Sequence, residues 1–141
     1  MTIGIPKSKW VRVGSRRGAT MVEFALVVPI VFILFFAAVE FSRVLIVRHT
    51  VDNAVYEAAR VAIVPGATVA DVQTEAARVL STLGVVMPTI VVTPDPITRT
   101  TPQVSVRITV PVAANSYVPP QYFARSVITR ELTLRREGVP Q

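Results

Sequence analysis

The sequence predicts an α+β chain: one long N-terminal helix, half in a membrane and half amphipathic, then a second helix, then a small antiparallel three-stranded sheet. Three observations carry this. Phe24 to Val39 has no charged or polar side chain and a single proline. Apolar residues then recur at spacings of three and four up to Ala62, which is the period of a helix with one buried face. Beyond Gly84 the period changes to two, most clearly from Gln103 to Val112.

Residues 1–18, MTIGIPKSKWVRVGSRRG, mix Gly, Pro, Ser and cations without a helical or strand period. They are expected to form an unstructured basic leader, with Trp10 near the headgroups. All five leading cations, Lys7, Lys9, Arg12, Arg16 and Arg17, precede the apolar run, and no acid accompanies them. Short cationic flanks stay on the cytoplasmic side, so the expected topology is N-in and C-out.

Ala19 to Val39 is 21 residues, about 31 Å as a helix, against a hydrocarbon thickness of roughly 30 Å. We therefore divide the chain into the leader, a transmembrane helix over 19–40 and an extracytoplasmic α+β domain over 41–141. A cleaved secretory signal fits less well. The run exceeds a usual signal core, and a cut after Ala38 would put Phe36 where a small residue is wanted. Pro29 removes one helical N–H and crowds the carbonyl of Ala25, which predicts a local bend or softening.

Beyond Val39 the helix turns amphipathic. Val44, Val47, Val51, Ala54, Val55, Ala58 and Ala62 form its apolar stripe, and Arg48, Asp52, Asn53, Glu57 and Arg60 lie off it. Pro65-Gly66 stops it at about Val64. Glu40 and Arg43, at i and i+3, form a candidate interfacial ion pair at the outer membrane boundary.

The second helix opens at Thr68, whose hydroxyl can cap the first turn while Asp71 stands in the reciprocal position. Val72, Ala76, Val79, Leu80 and Leu83 line one side of it, and Gly84 is its expected stop. Thr89–Thr93 is a short β-branched strand. Gln103–Val112 places Val104, Val106, Ile108, Val110 and Val112 on one face. Ser126–Arg135 places Ile128, Leu132 and Leu134 on one face and Thr129, Glu131 and Thr133 on the other. Such a sheet has one apolar face to cover, and the amphipathic parts of the two helices are the available covers. Tyr117, Tyr122 and Phe123 around Pro119-Pro120 either fold back on the sheet or form an exposed contact patch.

Composition narrows the function classes. The formal charge of +6 resembles a nucleic-acid footprint, yet from Ala19 onward ten Lys/Arg face nine Asp/Glu, scattered without a stripe. No nucleic-acid partner is expected. The chain has no cysteine and a single histidine, His49. No triad, metal cluster or phosphate loop can be assembled, so neither catalysis nor a cofactor is expected.

Glu23 is the anomaly. A carboxylate in a membrane helix costs about 2.5 to 3.5 kcal/mol at the bilayer centre and less near the interface. One reading is that it reaches headgroup water or is protonated. The other starts from Gly18: a cut after this glycine makes Ala19 a new ammonium terminus. The acid of one subunit then pairs with the amine of another and sets axial register.

The leader ending in Gly18, Glu23 followed by Phe24, and the unbroken apolar helix resemble the signal of type IV prepilins and pseudopilins. EFALVVP at Glu23–Pro29, EFSR at Glu40–Arg43 and NAVYEAAR at Asn53–Arg60 resemble, more specifically, the TadE-like proteins of tight-adherence pilus machinery. The resemblance covers roughly residues 16–62. It implies a structural minor pilin or pseudopilin of the bacterial inner membrane, cut between Gly18 and Ala19 by a membrane prepilin peptidase. It also implies recognition or assembly roles for Glu23 and Phe24. The implied partners are the membrane, other pilin subunits and the inner-membrane pilus platform, with incorporation into an extracellular pilus as one destination. The alternative is an uncleaved single-pass protein whose outer domain serves as a binding or scaffold module.

Overall fold

The structure, a computed structural model, describes residues 15–117 and 125–136. Of the expected leader, residues 1–14 with Trp10 lie outside the described residues, as do Tyr122 and Phe123, whereas Ser15–Gly18 belong to α1 and are helical rather than unstructured. The element order is α1 (Ser15–Ala62), α2 (Val69–Ser81), β1 (Thr89–Thr93), β2 (Gln103–Pro111), a short 3-10 turn (Ala113–Asn115) and β3 (Val127–Arg135). This is the long helix, second helix and antiparallel sheet that the periodicities predict. The chain separates into two compact units, Met1–Ala37 and Ala38–Gln141.

In the first unit α1 runs without interruption through Pro29. From Met21 to Phe36 every large apolar side chain except the half-buried Val28 is between 50 and 72% exposed. Phe36 meets Phe32 with ring centroids 6.3 Å apart and Phe35 at 5.7 Å. A surface this apolar and this continuous is not sustained by water. Among the described residues α1 is the one helix long and apolar enough to cross a membrane.

The second unit has an ordinary core. Val47, Val51, Ala54, Val55, Ala58, Ala59 and Ala62 of α1 are buried in one cluster with Val72, Ala76 and Leu80 of α2 and the apolar face of the sheet. The small residues at the C-terminal end of the α1 stripe let neighbouring elements approach closely. Thr50 is also buried, its hydroxyl donating to the Ile46 carbonyl at 2.9 Å, so a polar residue sits on the stripe without an unpaired group. α1 ends at Ala62 rather than Val64; the Val64 N–H bonds to Val61 O and Gly66 takes a φ of 90°.

α2 begins and ends as its residue types dictate. The Thr68 hydroxyl accepts from Asp71 N–H while the Asp71 carboxylate accepts from Thr68 N–H at 2.9 Å, a complete capping box. These Thr68 bonds, side chain first, hold the Asp71 carboxyl below its usual range. At the other end Gly84 N–H reaches Ser81 O and Val85 N–H reaches Leu80 O, with Gly84 at φ 61°. That is the Schellman pattern, and its hydrophobic pair is Leu80 with Val85, both buried. Leu83 is corrected by this geometry: it lies past the helix, off the buried side, and is 43% exposed. Replacing Thr68 with alanine is expected to destabilise the unit by about 1 kcal/mol, read as a shift in the denaturant midpoint of the detergent-solubilised chain.

The sheet has the order β1-β2-β3, antiparallel throughout. Val110, Ile108, Val106 and Val104 lie on the covered face, opposite Ile128, Arg130, Leu132 and Leu134 of β3. The other face is polar: Arg107 donates to Glu131 at 2.7 Å, Ser105 donates to the same carboxylate, and Thr109 meets Thr129. The Ser105 bond first, then Arg107, holds the Glu131 carboxyl low. β2 ends at Pro111 and β3 begins at Val127, each one residue inside the predicted limit, although Val112 is buried as expected.

Candidate assembly site

Gly18 and Ala19 sit in the opening turns of α1 and are exposed. A side chain on Gly18 would meet nothing within 4 Å. Helical glycine costs about 0.8 to 1 kcal/mol relative to alanine, so the fold gains nothing from this residue. Glu23 and Phe24, on the same helix, are also exposed, Phe24 at 66%. Among the described residues none is ion-paired with Glu23. The four residues therefore share one exposed helical segment, and no contact of the fold accounts for the acid.

Glu40 and Arg43 stand in the second unit, in the first turn beyond the apolar run, and both engage the segment after β2. The Glu40 carboxylate accepts from the Ser116 hydroxyl and from Tyr117 N–H, the latter at 3.2 Å. Arg43 Nε donates to the Asn115 carbonyl at 3.1 Å, and its guanidinium lies 4.8 Å from the centroid of the Tyr117 ring. Glu40 and Arg43, paired by spacing in the sequence, thus each bind the Asn115–Tyr117 segment and form a polar clasp around it.

Asn115 is the hub of that clasp. It is buried; its Oδ1 accepts from Val86 N–H at 2.9 Å and its Nδ2 donates to the Val86 and Pro111 carbonyls, both at 3.0 Å. One side chain thereby joins the loop after α2 to the end of β2. Its backbone carbonyl joins both to α1 through Arg43.

A second cross-link sits in the amphipathic C-terminal part of α1. Arg130 interrupts the apolar side of β3 between Ile128 and Leu132, and its Nε donates to the Asp52 carboxylate. Sequence reasoning missed this pair, Asn115 and Ser116. The signal for Arg130 was present, since a cation at a core-facing strand position demands an acid on the covering helix, and Asp52 lies at the margin of the α1 stripe. Among the described residues no group of three or more His, Asp or Glu side chains is arranged to hold a metal ion.

Residues 18–60 match the family model described as TadE-like protein. The matched stretch begins at Gly18 and includes Glu23, Phe24, Glu40 and Arg43, and covers the three motifs that carry the resemblance. It spans under half of the chain. No curated protein and no solved structure matches the chain. The match and the apolar helix together fit a pilin-like, membrane-anchored protein.

Proposed function

We propose that the chain is a structural subunit of tight-adherence, type IV-like pilus assembly: a minor pilin or pseudopilin held in the bacterial inner membrane, N-in and C-out. A membrane prepilin peptidase removes residues 1–18, and Ala19 becomes the mature terminus. Glu23 then guides the packing of the apolar helix against other pilin subunits and the inner-membrane platform. The single observation that carries this reading is the coincidence, in one segment, of the family match with an apolar helix exposed on nearly all sides. In support, Gly18 has no packing contact to lose and Glu23 has no ion pair among the described residues, so both are available to a processing and assembly signal.

Intact mass of the membrane-extracted protein tests it. In a host with an active prepilin peptidase the expected chain begins at Ala19, and replacing Gly18 with a bulky residue leaves the leader attached. A wild-type chain that still begins at Met1 in that host removes the processing step and favours the uncleaved anchored scaffold.

A further inference from the structure

One end of the outer sheet is marked by its connections. β1 begins, β2 ends and β3 begins at the same end, as Thr89 pairs with Thr109 and Pro111 with Val127. Asn115–Tyr117 fastens that end to Glu40 and Arg43, the first turn of α1 after the apolar run closes at Val39. The opposite end meets the C-terminal end of α1, where Arg136 donates to the carbonyls of Val64 and Thr98.

The two ends differ in chemistry. Around the first lie Val86, 47% exposed, Met87, 71%, Tyr117, 70%, and Val127, 59%. Exposed Arg125 and half-buried Arg43 accompany them. The second, apart from Val64, presents Asp95, Arg99 and the Thr98–Thr101 turn. Met87 is the sharpest of these features. It is the one non-glycine residue with positive φ, 55°, among the described residues, a conformation that favours glycine or asparagine. Neither backbone preference nor burial explains a methionine there. Asn115 meanwhile grips both the N–H and the carbonyl of the preceding Val86, so the apolar tip is held in place.

We infer that this rim, Val86-Met87 with Tyr117 and Val127, rests in the headgroup layer of the lipid surface from which α1 emerges, with Arg43 and Arg125 beside lipid phosphates. Aliphatic side chains flanked by a tyrosine and arginines are the chemistry of a membrane interface. The clasp to Glu40 and Arg43 keeps the rim at the level where the apolar run stops. The outer unit is then seated on the bilayer and leaves its polar sheet face and distal end free. This inference rests on the reading of α1 as a membrane span.

The absence of cysteine makes the test direct. Single-cysteine full-length chains, Met87→Cys, Arg99→Cys and Ile33→Cys, are labelled with a bimane fluorophore. They are placed at one copy per nanodisc of phosphatidylethanolamine and phosphatidylglycerol carrying nitroxide lipids. The Met87 label is expected to be quenched several-fold more by headgroup nitroxide than the Arg99 label, and the Ile33 label strongly by acyl-chain nitroxide. Equal quenching at Met87 and Arg99, with Ile33 still quenched, overturns the rim alone. Absence of quenching at Ile33 overturns the span and the rim with it. Shielding of the Met87 label from aqueous iodide only when several copies share a disc assigns the rim to a second subunit and overturns the lipid contact.

Discussion

Asn115→Ala is expected to lower the stability of the outer unit by about 2 kcal/mol, at the upper end for a single polar truncation whose partners are only partly buried. The substitution leaves Val86 N–H, Val86 O and Pro111 O without the side chain that satisfies all three. A buried group stripped of its partner costs about 1 to 3 kcal/mol. The total is not three times that, because Val86 is half open to solvent and its backbone can be rehydrated. Asn115→Asp separates the contributions: it keeps an acceptor for Val86 N–H but sets a carboxylate against two carbonyls, and is expected to be worse than alanine. Ser116→Ala removes the hydroxyl that donates to Glu40 and serves as the mild control. Denaturant unfolding of the detergent-solubilised chain, followed by the sheet signal in circular dichroism, measures all three. A loss below about 0.5 kcal/mol for Asn115→Ala, the low end of an ordinary hydrogen bond, would show that the clasp is dispensable to the fold.

The clasp also marks the limit of what the residues reveal when read along the chain. α2 was legible at both ends because its signals are local. Thr68 and Asp71 are three residues apart, Gly84 lies just after the last turn, and each needs only its neighbours to act. β2 was legible by its strict alternation with one face buried, β3 by an alternation that Arg130 interrupts, and β1 only as a short β-branched run. Leu83 went wrong because the helical period was continued two residues past the helix end at Ser81, where the Schellman turn redirects the chain. Asn115 and Ser116 were not legible, and Arg130, though conspicuous at a core-facing strand position, did not name its partner. Their partners lie in other elements, Asn115 bonding Val86, Ser116 reaching Glu40 and Arg130 reaching Asp52. A spacing rule has no access to contacts between elements so distant in sequence. Glu40 and Arg43 fall between these cases, singled out by spacing yet engaged by a segment that spacing does not connect to them. Gly18 and Glu23 stand apart again, Gly18 singled out as a candidate cut site and Glu23 as a costly acid, and among the described residues the fold supplies no use for either.

Glu23→Ala is expected to leave membrane insertion intact and to reduce pilus assembly by about thirty-fold. Insertion survives because the substitution removes a carboxylate whose placement in the apolar helix opposes transfer, by up to about 3 kcal/mol at depth and less near the interface. Assembly suffers because a carboxylate pairing with the Ala19 ammonium of a neighbour would leave that ammonium uncompensated in a low-dielectric contact. Truncating one partner of such a pair costs about 2 to 5 kcal/mol, and the lower figure already corresponds to about thirty-fold in association. Glu23→Gln keeps the size and one hydrogen-bonding group but not the charge, so a recovery in Glu23→Gln would assign the role to hydrogen bonding rather than to pairing. Three readings separate the steps: membrane fractionation for insertion, intact mass for the cut after Gly18, and sheared surface pili for assembly. If Glu23→Ala inserts, is cut and assembles at the wild-type level, the pairing role is wrong, and the acid resides in the helix only because headgroup water reaches it. If the variant inserts but keeps its leader, Glu23 acts in recognition by the peptidase. The assembly defect then follows from the retained residues 1–18, whose cations would be carried into the contact where the new ammonium should stand.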